Sequence, residues 1–282
     1  MPQLSAVSKI DNRPYGVEFS ERLAAFSLDA GGVSVVLDQV DSTSEYLRAH
    51  WLAQANAGAA WSVCVAQAQT AGRGRHGHAW HSAAGAGLWF SLAVPVAAPI
   101  SAPQEQPPLS LVLAVALIQC LRSFGFDVAL KWPNDLWLRD KKVGGLLIEQ
   151  LGRADARYWL AGVGLNWQTP TGVLVDKTGA QAAATGLLEG VEVKDCLRER
   201  LSMALIAASV VCIQSPQTWT EKMSEINPIN GLSGRKIQVW DSARLHEEGT
   251  AGDILPNGTL TVVTHEGGVH AIGGAFSVRL PA

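Results

Sequence analysis

Apolar residues occur in short runs that are separated by polar turns along most of the chain. The runs at 33–40, 61–67 and 87–94 are rich in Val, Leu and aromatic residues and have the length of strands. The runs at 109–121 and 201–213 are longer and predict buried helices. Both are shorter than the ~20 residues that a membrane span needs, so we expect a soluble protein with no membrane partner.

The remaining pattern adds further helices and strands. Residues 18–28 and 43–55 predict helices, and Ser42 followed by Glu45 predicts a capping box at the start of the second one. Strands are predicted at 128–131, 142–151 and 158–167, a helix at 195–213 with a helical stretch to 226, and short strands at 236–240, 250–254, 260–264, 269–271 and 275–280. Short strands joined by tight turns predict an α+β fold, in which a mixed, largely antiparallel sheet is backed by helices.

A change in character near residue 230 predicts two domains. Residues 1–229 are expected to form the larger, catalytic or binding domain. The five short strands within 230–282 predict a small C-terminal β-barrel of the SH3-like kind. The proline-rich stretch 95–108 and the Gly-, Ala- and Thr-rich stretch 168–190 predict long loops, and loops of such length are often functional.

Composition and charge exclude several classes of protein. The 282 residues carry 22 Lys and Arg against 25 Asp and Glu, a net charge of −3, whereas a general nucleic-acid binder is expected to be basic. Hydrophobic residues make up 48% and charged residues 17%, which excludes disorder for most of the chain. The four cysteines form no C-x-x-C pair, and the first residues contain no apolar signal sequence. We therefore expect a cytoplasmic protein with buried thiols and neither a zinc nor a dithiol site.

The sequence GRGRHG at 72–77 is the most informative motif. It matches the G-x-G-x-x-G pattern of dinucleotide-binding loops, but no helix is predicted after it and no Asp or Glu occurs between Glu45 and Glu105. That function is rejected, and a Walker A loop is rejected because Gly-Lys-Ser/Thr is missing. Glycines let backbone N–H groups approach an anion, and arginines pair with carboxylates or phosphates, so the loop predicts a site for an acidic ligand. A solvated basic loop or an RNA contact is the alternative.

Two further motifs place polar groups next to predicted strands. In KWPND at 131–135, a lysine at a strand end precedes a turn, which fixes one cation at the edge of the sheet; an ordinary hairpin is the alternative. In GVGLN at 162–166, two strand glycines permit the close approach of a ligand, and a buried Asn166 needs hydrogen-bond partners. A bulged strand is the alternative there.

Together and in this order, the motifs closely resemble those of the biotin protein ligases. The resemblance rests on DST at 41–43, the 72–77 loop with Gln69 before it and Trp80 after it, KWPND, VGGLLIE at 143–149, GVGLN, and GG-x-x-S-x-R at 273–279. It covers roughly residues 33–282. No helix-turn-helix module precedes the first predicted strand, so the resemblance implies the monofunctional type of ligase, with no DNA partner.

The resemblance implies a two-step reaction. Biotin and MgATP would first form biotinyl-5′-AMP and pyrophosphate, and a lysine of a biotin carboxyl carrier protein would then attack this mixed anhydride and release AMP. Biotin, ATP and Mg²⁺ are the implied ligands, with no tightly bound cofactor, and a homodimer stays open. The alternatives are a lipoate or other acyl ligase on the same scaffold, and a nucleotide- or RNA-binding module.

The resemblance also assigns roles to individual residues. Arg75 and Lys131 are the implied catalytic residues, because fixed cations are needed where a carboxylate must approach a phosphate. The implied biotin site comprises Ser42, Thr43, Ser44, Gln69, Gly72, Arg73, Gly74, Arg75, Trp80, Lys131 and Gly145. The implied nucleotide site comprises Arg73, Arg75, Lys131 and Asn166.

Several neighbouring residues keep two interpretations. Asp135 and Glu149 are magnesium ligands or, as we favour, structural carboxylates, and Trp132 is a wall of the biotin pocket or part of the core. No metal site is assigned, because the histidines at 76, 78 and 81 have no cysteine or carboxylate beside them in sequence. Residues 168–190 contain no aromatic side chain to cover adenine, which leaves Trp167 as the candidate for that contact.

Overall fold

The computed structural model describes residues 15–56, 58–96, 108–152, 157–171, 183–191, 196–241 and 244–281. Their helices are α1 (Val17–Asp29), α2 (Thr43–Asn56), α3 (Leu109–Ser123), α4 (Leu197–Gln214) and α5 (Trp219–Ser224). Their strands are β1 (Gly32–Val40), β2 (Trp61–Gln69), β3 (Gly87–Pro95), β4 (Val128–Lys131), β5 (Asp135–Leu138), β6 (Lys141–Leu151), β7 (Tyr158–Asn166), β8 (Lys236–Asp241), β9 (Arg244–Ile254), β10 (Leu260–Thr264), β11 (Val269–Ile272) and β12 (Ser277–Arg279).

A seven-stranded sheet in the order β1-β2-β3-β7-β6-β5-β4 forms the larger part of the molecule. The β1–β2 pair is parallel because helix α2 makes the crossover between the two strands. The other pairs of this sheet are antiparallel. The predicted fold class, a mixed and largely antiparallel sheet backed by helices, is confirmed.

The two faces of the sheet are covered differently, and this difference positions the site. Helices α1, α3, α4 and α5 pack on one face around a continuous apolar core, in which Leu113 is fully buried. Truncating a leucine in such a core to alanine costs about 2–5 kcal/mol. The opposite face carries a smaller cluster beneath helix α2, which includes Leu47, Trp51 and Tyr158. Because α2 covers only part of this face, the rest is left for polar side chains.

A second, five-stranded sheet follows in the order β11-β10-β9-β8-β12, with antiparallel pairs throughout. It packs directly against the larger part of the chain. The Trp132 indole donates to the carbonyl of Gly258 at 2.9 Å, and the Asn230 amide donates to the carbonyl of Gly252 at 3.1 Å. The predicted small C-terminal antiparallel sheet is thus present; its closure as an SH3-like barrel and its status as a separate domain stay predictions.

The structure corrects three local predictions. Residues 135–138 form strand β5, whereas Asp135 was predicted to end the turn; a strand of four residues, three of them apolar, in front of another strand gives little signal. The first C-terminal hairpin is longer than predicted, because β9 begins at Arg244. The capping box at Ser42 is not formed, since the Glu45 carboxylate pairs with two arginines instead.

Residues 97–107 of the predicted loop at 95–108, and residues 172–182 of the predicted loop at 168–190, lie outside the described residues. In the described part of the chain, no single helix is long and apolar enough to cross a membrane. One pair of helices bent by 90°, Leu197–Gln214 with Pro216–Ser224, passes that test, on length and composition alone.

Candidate active site

A cleft of about 750 Å³ opens on the face of the sheet that helix α2 leaves uncovered. Its walls come from the start of α2, the 72–80 loop, strands β3 to β7 and the last strand of the C-terminal sheet. Of the residues assigned from sequence, the cleft is lined by Ser42, Thr43, Ser44, Gln69, Arg73, Gly74, Arg75, Trp80, Lys131, Gly145 and Asn166. The structure therefore brings all but one of the predicted site residues together.

The exception is Gly72, which shapes the loop without lining the cleft. Residues 72–80 form a small hairpin, in which the Trp80 N–H donates to the Gly72 carbonyl at 2.8 Å and the Gly74 N–H to the His78 carbonyl at 2.7 Å. A Cβ added to Gly72 would lie 2.5 Å from the Trp80 carbonyl oxygen, so only glycine fits. At the tip, Gly77 has a φ of 77°, a conformation that glycine adopts without strain.

Arg75 projects from this hairpin into the cleft and joins three parts of the structure. Its guanidinium donates to the Asn134 side-chain oxygen at 3.1 Å and to the carbonyl of Gly274, in the turn between β11 and β12. Burial lowers the pKa of Arg75, and the nearby Asp135 carboxylate partly offsets this effect. An arginine stays protonated at neutral pH under such a shift, so the cleft holds a fixed positive charge.

Two lysines share one carboxylate at the floor of the cleft. Lys142 Nζ lies 2.5 Å from Asp135 Oδ1, and Lys131 Nζ lies 3.8 Å from Asp135 Oδ2. Burial alone raises the pKa of Asp135, but the charges of Lys142 and Lys131, with a smaller contribution from Arg75, hold it below its usual range. Three cations against one carboxylate leave this part of the cleft positive.

Lys142 was missed by the sequence analysis. It sits near the start of β6, next to β5, and its side chain reaches across to Asp135 and over the ring of Trp80, with Nζ 5.3 Å from the ring centroid. Lys142 could have been identified only by predicting strand β5. The pairing of β5 with β6 places Asp135 opposite Gly145, and this brings the Lys142 side chain close to Asp135.

Hydroxyl and amide groups form a second, uncharged part of the cleft. The Thr43 and Ser44 hydroxyls each lie 2.8 Å from the hydroxyl of Ser91, which is fully buried on β3. Gln69 accepts from the Thr43 N–H at 2.9 Å and donates to the Ser82 hydroxyl at 2.7 Å. Hydroxyls both donate and accept, so this group can match a ligand that carries donors and acceptors. Ser91 lines the cleft and was also missed by the sequence analysis, whereas Ser82 supports Gln69 without lining the cleft.

Glycines on the central strands make room for this cleft. A Cβ on Gly164 would lie 2.5 Å from the Trp80 ring, so this glycine lets the indole lie flat on strand β7. A Cβ on Gly162 would meet the Ser44 hydroxyl at 3.1 Å, and one on Gly145 would meet Lys142 Cε at 3.3 Å. The two glycines of GVGLN were predicted to let another group approach strand β7 closely, and this packing fits the prediction. The groups that approach are side chains of the cleft.

Asn166 ends strand β7 and holds the segment that returns to the cleft. Its amide donates to the Thr185 carbonyl at 3.3 Å, and its own carbonyl accepts from the Leu187 N–H at 2.8 Å. Ala183 and Ala184, next to this contact, line the cleft together with Pro170. These hydrogen bonds hold the C-terminal part of the predicted 168–190 loop beside the polar side chains of the cleft.

The structure gives the surroundings of four residues whose roles the sequence left open. Trp132 is 1% exposed and hydrogen-bonded to Gly258, so its main role is packing, although it reaches the cleft wall.

The prediction that Trp167 covers adenine is wrong, because its ring is fully buried on the opposite face and donates to the Tyr15 hydroxyl at 3.1 Å. Glu149 pairs with Arg48 at 2.9 Å. Asp135 is occupied by the two lysines, which favours the structural interpretation.

No group of three or more His, Cys, Asp or Glu side chains that could hold a metal ion occurs in the described ranges. His76 and His78 line the cleft instead, on the tip of the hairpin. Because they lie beside Arg75, the two histidines form part of the polar wall of the cleft.

Part of the chain, which includes most of the cleft residues, is similar to a known protein family. Residues 36–166 match the model of the biotin/lipoate A/B protein ligase family. The matched range begins within β1 and ends with Asn166, and it includes the hairpin, both lysines and most of the polar side chains.

The chain is also similar in sequence to individual proteins that are named as ligases. It is 40% identical over 141 residues to the bifunctional ligase/repressor BirA of Escherichia coli, a match that covers 49% of this chain and 41% of that protein. It is 35% identical over 151 residues to the biotin–[acetyl-CoA-carboxylase] ligase of Mycobacterium tuberculosis, covering 51% of each. The match thus spans about half the length of these relatives or less.

Solved structures extend the similarity in fold over most of the chain. The biotin protein ligase of Aquifex aeolicus, in complex with biotin and ATP, has a TM-score of 0.65 and 24% identity, covering 88% of this chain and 99% of that one. The biotin protein ligase of Leishmania major, in complex with biotin, has a TM-score of 0.53 and 26% identity, covering 86% and 98%. Both similarities include the C-terminal part of this chain, which the family model does not reach.

Proposed function

We propose that the protein is a biotin protein ligase, which activates biotin with ATP as biotinyl-5′-AMP and transfers it to a lysine of a biotin carboxyl carrier protein. One observation carries this proposal: a single cleft contains both a group of fixed cations and a buried set of hydroxyl and amide groups. The family match and the names of the relatives support it independently.

The uncharged part of the cleft suits the biotin ring. The ureido group of biotin has two N–H donors and one carbonyl acceptor. Ser91, Thr43 and Ser44 form a buried chain of hydroxyls that can reorient to accept or donate, and Gln69 fixes the chain from one side. Buried polar groups cost free energy unless they are paired, so a ligand with matching groups is strongly favoured over one without them.

The positive part of the cleft suits adenylate formation. Here the biotin carboxylate must attack the α-phosphate of ATP, and two unit charges about 4 Å apart repel by roughly 4 kcal/mol at an effective dielectric constant of about 20. Lys131, Lys142 and Arg75 are held in place before the reaction, so they offset this repulsion without reorganising. A carboxylate oxygen forms the new bond to phosphorus, and pyrophosphate leaves.

Magnesium is proposed to enter with ATP rather than on a protein site. Of the two carboxylates among the described residues that line the cleft, Asp135 already pairs with two ammonium groups and Asp140 with the Arg235 guanidinium. Mg²⁺ commonly keeps several waters and binds through substrate phosphates, which is consistent with this arrangement. We assign no protein ligand to it.

In the second step, the lysine amine of the carrier protein attacks the carbonyl carbon of the anhydride. A C–N bond forms, the bond between that carbon and the phosphate oxygen breaks, AMP leaves, and the amine loses its proton to solvent. The hairpin that carries Arg75 lies over the cleft and contacts Gly274, so it shields the anhydride from water. The same contact brings the C-terminal sheet into the site.

Incubation with biotin, MgATP and a biotin carboxyl carrier domain tests the proposal. We expect the carrier to gain the mass of one biotinyl group on a lysine, with the release of pyrophosphate and AMP. A carrier whose target lysine is replaced by arginine is the matched control. The absence of any mass gain with intact carrier would contradict the proposal.

Binding measurements distinguish the proposed ligase from the two alternative functions. A lipoate or other acyl ligase predicts that lipoate raises the melting temperature more than biotin does, because its ligand lacks the ureido group. An RNA-binding module predicts a salt-dependent complex with RNA, since phosphate contacts weaken as salt rises. A larger shift with biotin and no complex with RNA support the ligase. The homodimer, the absence of a DNA partner and the cytoplasmic location stay predictions.

A further inference from the structure

Trp137 on strand β5 lines the cleft and lies next to the lysine at position 131. The residue is 7% exposed, and Lys131 Nζ lies 5.3 Å from the centroid of its ring. A cation within about 6 Å of an aromatic centroid, over the face of the ring, is attracted by the ring quadrupole. The indole and the ammonium therefore form a cation–π pair inside the cleft.

Strand pairing explains why these two side chains meet. The register of β4 and β5 places Lys131 opposite Asp135, and Ala129 opposite Trp137. Residues two apart on a strand point to the same face of the sheet, so the four side chains share one face. Lys131 and Trp137 are thus diagonal neighbours, a separation that long and aromatic side chains can span. The small Ala129 side chain leaves room for the ring beside the lysine.

The ring is also in contact with the segment that leads into the C-terminal sheet. A Cβ added to Gly231 would lie 3.8 Å from Trp137 Cε3 and 3.2 Å from Ala129 Cβ, so the backbone at 231 packs closely here. The guanidinium carbon of Arg235 lies 6.0 Å from the ring centroid, and the same group donates to Asp140 at 2.5 Å. These neighbours hold the indole in place.

The carboxylate that the two lysines share does not hold them equally. Lys142 Nζ lies 2.5 Å from Asp135, within hydrogen-bond distance, whereas Lys131 Nζ lies 3.8 Å away, beyond that distance. The Lys131 side chain is 21% exposed, and a cation–π pair is stronger where water is partly excluded. Because an indole carries no formal charge, it can hold the ammonium without neutralising it.

We propose that Trp137 is a positioning residue for adenylation, whose indole face holds the Lys131 ammonium where the biotin carboxylate approaches the α-phosphate of ATP. The inference rests on the proposed function, since it takes Lys131 as a cation of that step. The position of this ammonium matters because a charge that is already in place stabilises a transition state without reorganising. The sequence analysis gave Trp137 no role.

Fluorination of this one indole tests the inference with little change in its shape. Each fluorine atom withdraws electron density from the ring and weakens its attraction for a cation. Mono-, di- and trifluorinated tryptophan are placed at position 137 by nonsense suppression, and single-turnover pyrophosphate release at saturating biotin and ATP gives the adenylation rate. The same series at Trp159 is the matched control, because this residue packs against Trp219 on α5 and is not among those that line the cleft.

We expect the rate to fall with each added fluorine at position 137, by about 2- to 30-fold in all, the range that the strength of a cation–π pair implies. The fall should persist in Arg235→Gln and be absent from the residual rate of Lys131→Gln. The series at Trp159 should leave the rate unchanged. Trp137→Phe, which keeps an aromatic face, should retain more of the rate than Trp137→Leu, and melting temperatures confirm that each protein is folded.

The outcomes separate this inference from the function on which it rests. Equal rates along the series at position 137, or a fall that disappears in Arg235→Gln and persists in Lys131→Gln, would overturn the role of Trp137 and leave the ligase proposal intact. An equal fall in the series at Trp159 would have the same consequence. If the wild type released no pyrophosphate with biotin and ATP, the ligase proposal and the inference would fail together.

Discussion

Lys142 Nζ lies 2.5 Å from Asp135 Oδ1, on the strand next to it, at the floor of the cleft. Lys131 approaches the other oxygen of the same carboxylate at 3.8 Å. Two ammonium groups that would repel each other are thereby held side by side by one carboxylate. This arrangement is fixed before any ligand binds, which is the condition for electrostatic stabilisation of a reaction between anions.

The pH dependence of stability tests the role of Asp135. Its folded-state pKa is depressed below the unfolded value of about 3.9. The ionised carboxylate therefore contributes stability that is present above that value and is lost as the pH falls through the folded pKa. Asp135→Asn should lower the melting temperature at pH 7, and the difference from the wild type should shrink as the pH falls below about 4.

Thermal unfolding of both proteins between pH 3 and pH 8 is the measurement. Asp127→Asn, at a carboxylate that is 97% exposed, controls for the loss of one negative charge. A difference for Asp135→Asn that stays constant over the whole range would contradict the assigned charge coupling.

Arg75→Ala should slow adenylate formation and let the intermediate escape. The variant loses one fixed cation and the link between the hairpin, Asn134 and Gly274. If this resembles the loss of one oxyanion donor, the barrier to pyrophosphate release rises by roughly 2.7–4 kcal/mol. Pyrophosphate release and the free biotinyl-5′-AMP in solution are the measurements, with Arg22→Ala as an exposed control. Unchanged values of both would count against this role.

Lys131→Gln should abolish most of the adenylation rate with little change in melting temperature. The ammonium is 3.8 Å from its carboxylate and is partly exposed, so its ion pair adds little to stability. Single-turnover pyrophosphate release and thermal unfolding give the two values. A large fall in melting temperature with a retained adenylation rate would assign Lys131 to the structure instead.

Ser91→Ala should weaken biotin binding while leaving ATP affinity nearly unchanged. The substitution leaves the buried hydroxyls of Thr43 and Ser44 without a shared partner. An unpaired buried polar group costs about 1–3 kcal/mol, which corresponds to a loss of roughly 5- to 150-fold in biotin affinity.

Calorimetric titration with biotin measures this loss. Ser62→Ala is a closely matched control, because Ser62 is also fully buried on a neighbouring strand but its hydroxyl has no hydrogen-bond partner among the residues that the structure describes. Equal biotin affinity in the two variants would show that the hydroxyl chain does not bind biotin.

The sequence allowed the fold class and most of the cleft to be predicted, because those features depend on local signals. The hairpin with Arg73 and Arg75 is marked by its glycines, and Lys131 by the turn that follows it. The strands are marked by apolar runs with turn residues between them. Features of this kind need only neighbouring positions along the chain.

The missed residues depend on partners that are distant in sequence. Ser91 lies within an apolar strand, and its hydroxyl partners Thr43 and Ser44 are 48 and 47 residues away. Lys142 enters the cleft only because of the short strand β5, which was not predicted. Trp167 could have been placed correctly, since successive residues of a strand alternate between its faces and Asn166 occupies the cleft side.

A crystal structure with biotinol and ATP is the most direct measurement of the central claim, that one cleft holds biotin and the nucleotide together. We expect the ureido ring at the hydroxyls of Thr43, Ser44 and Ser91, and the α-phosphate within about 3 Å of a lysine ammonium at 131 or 142. Density for the biotin ring away from those hydroxyls, or for the phosphates away from both lysines, would contradict the account.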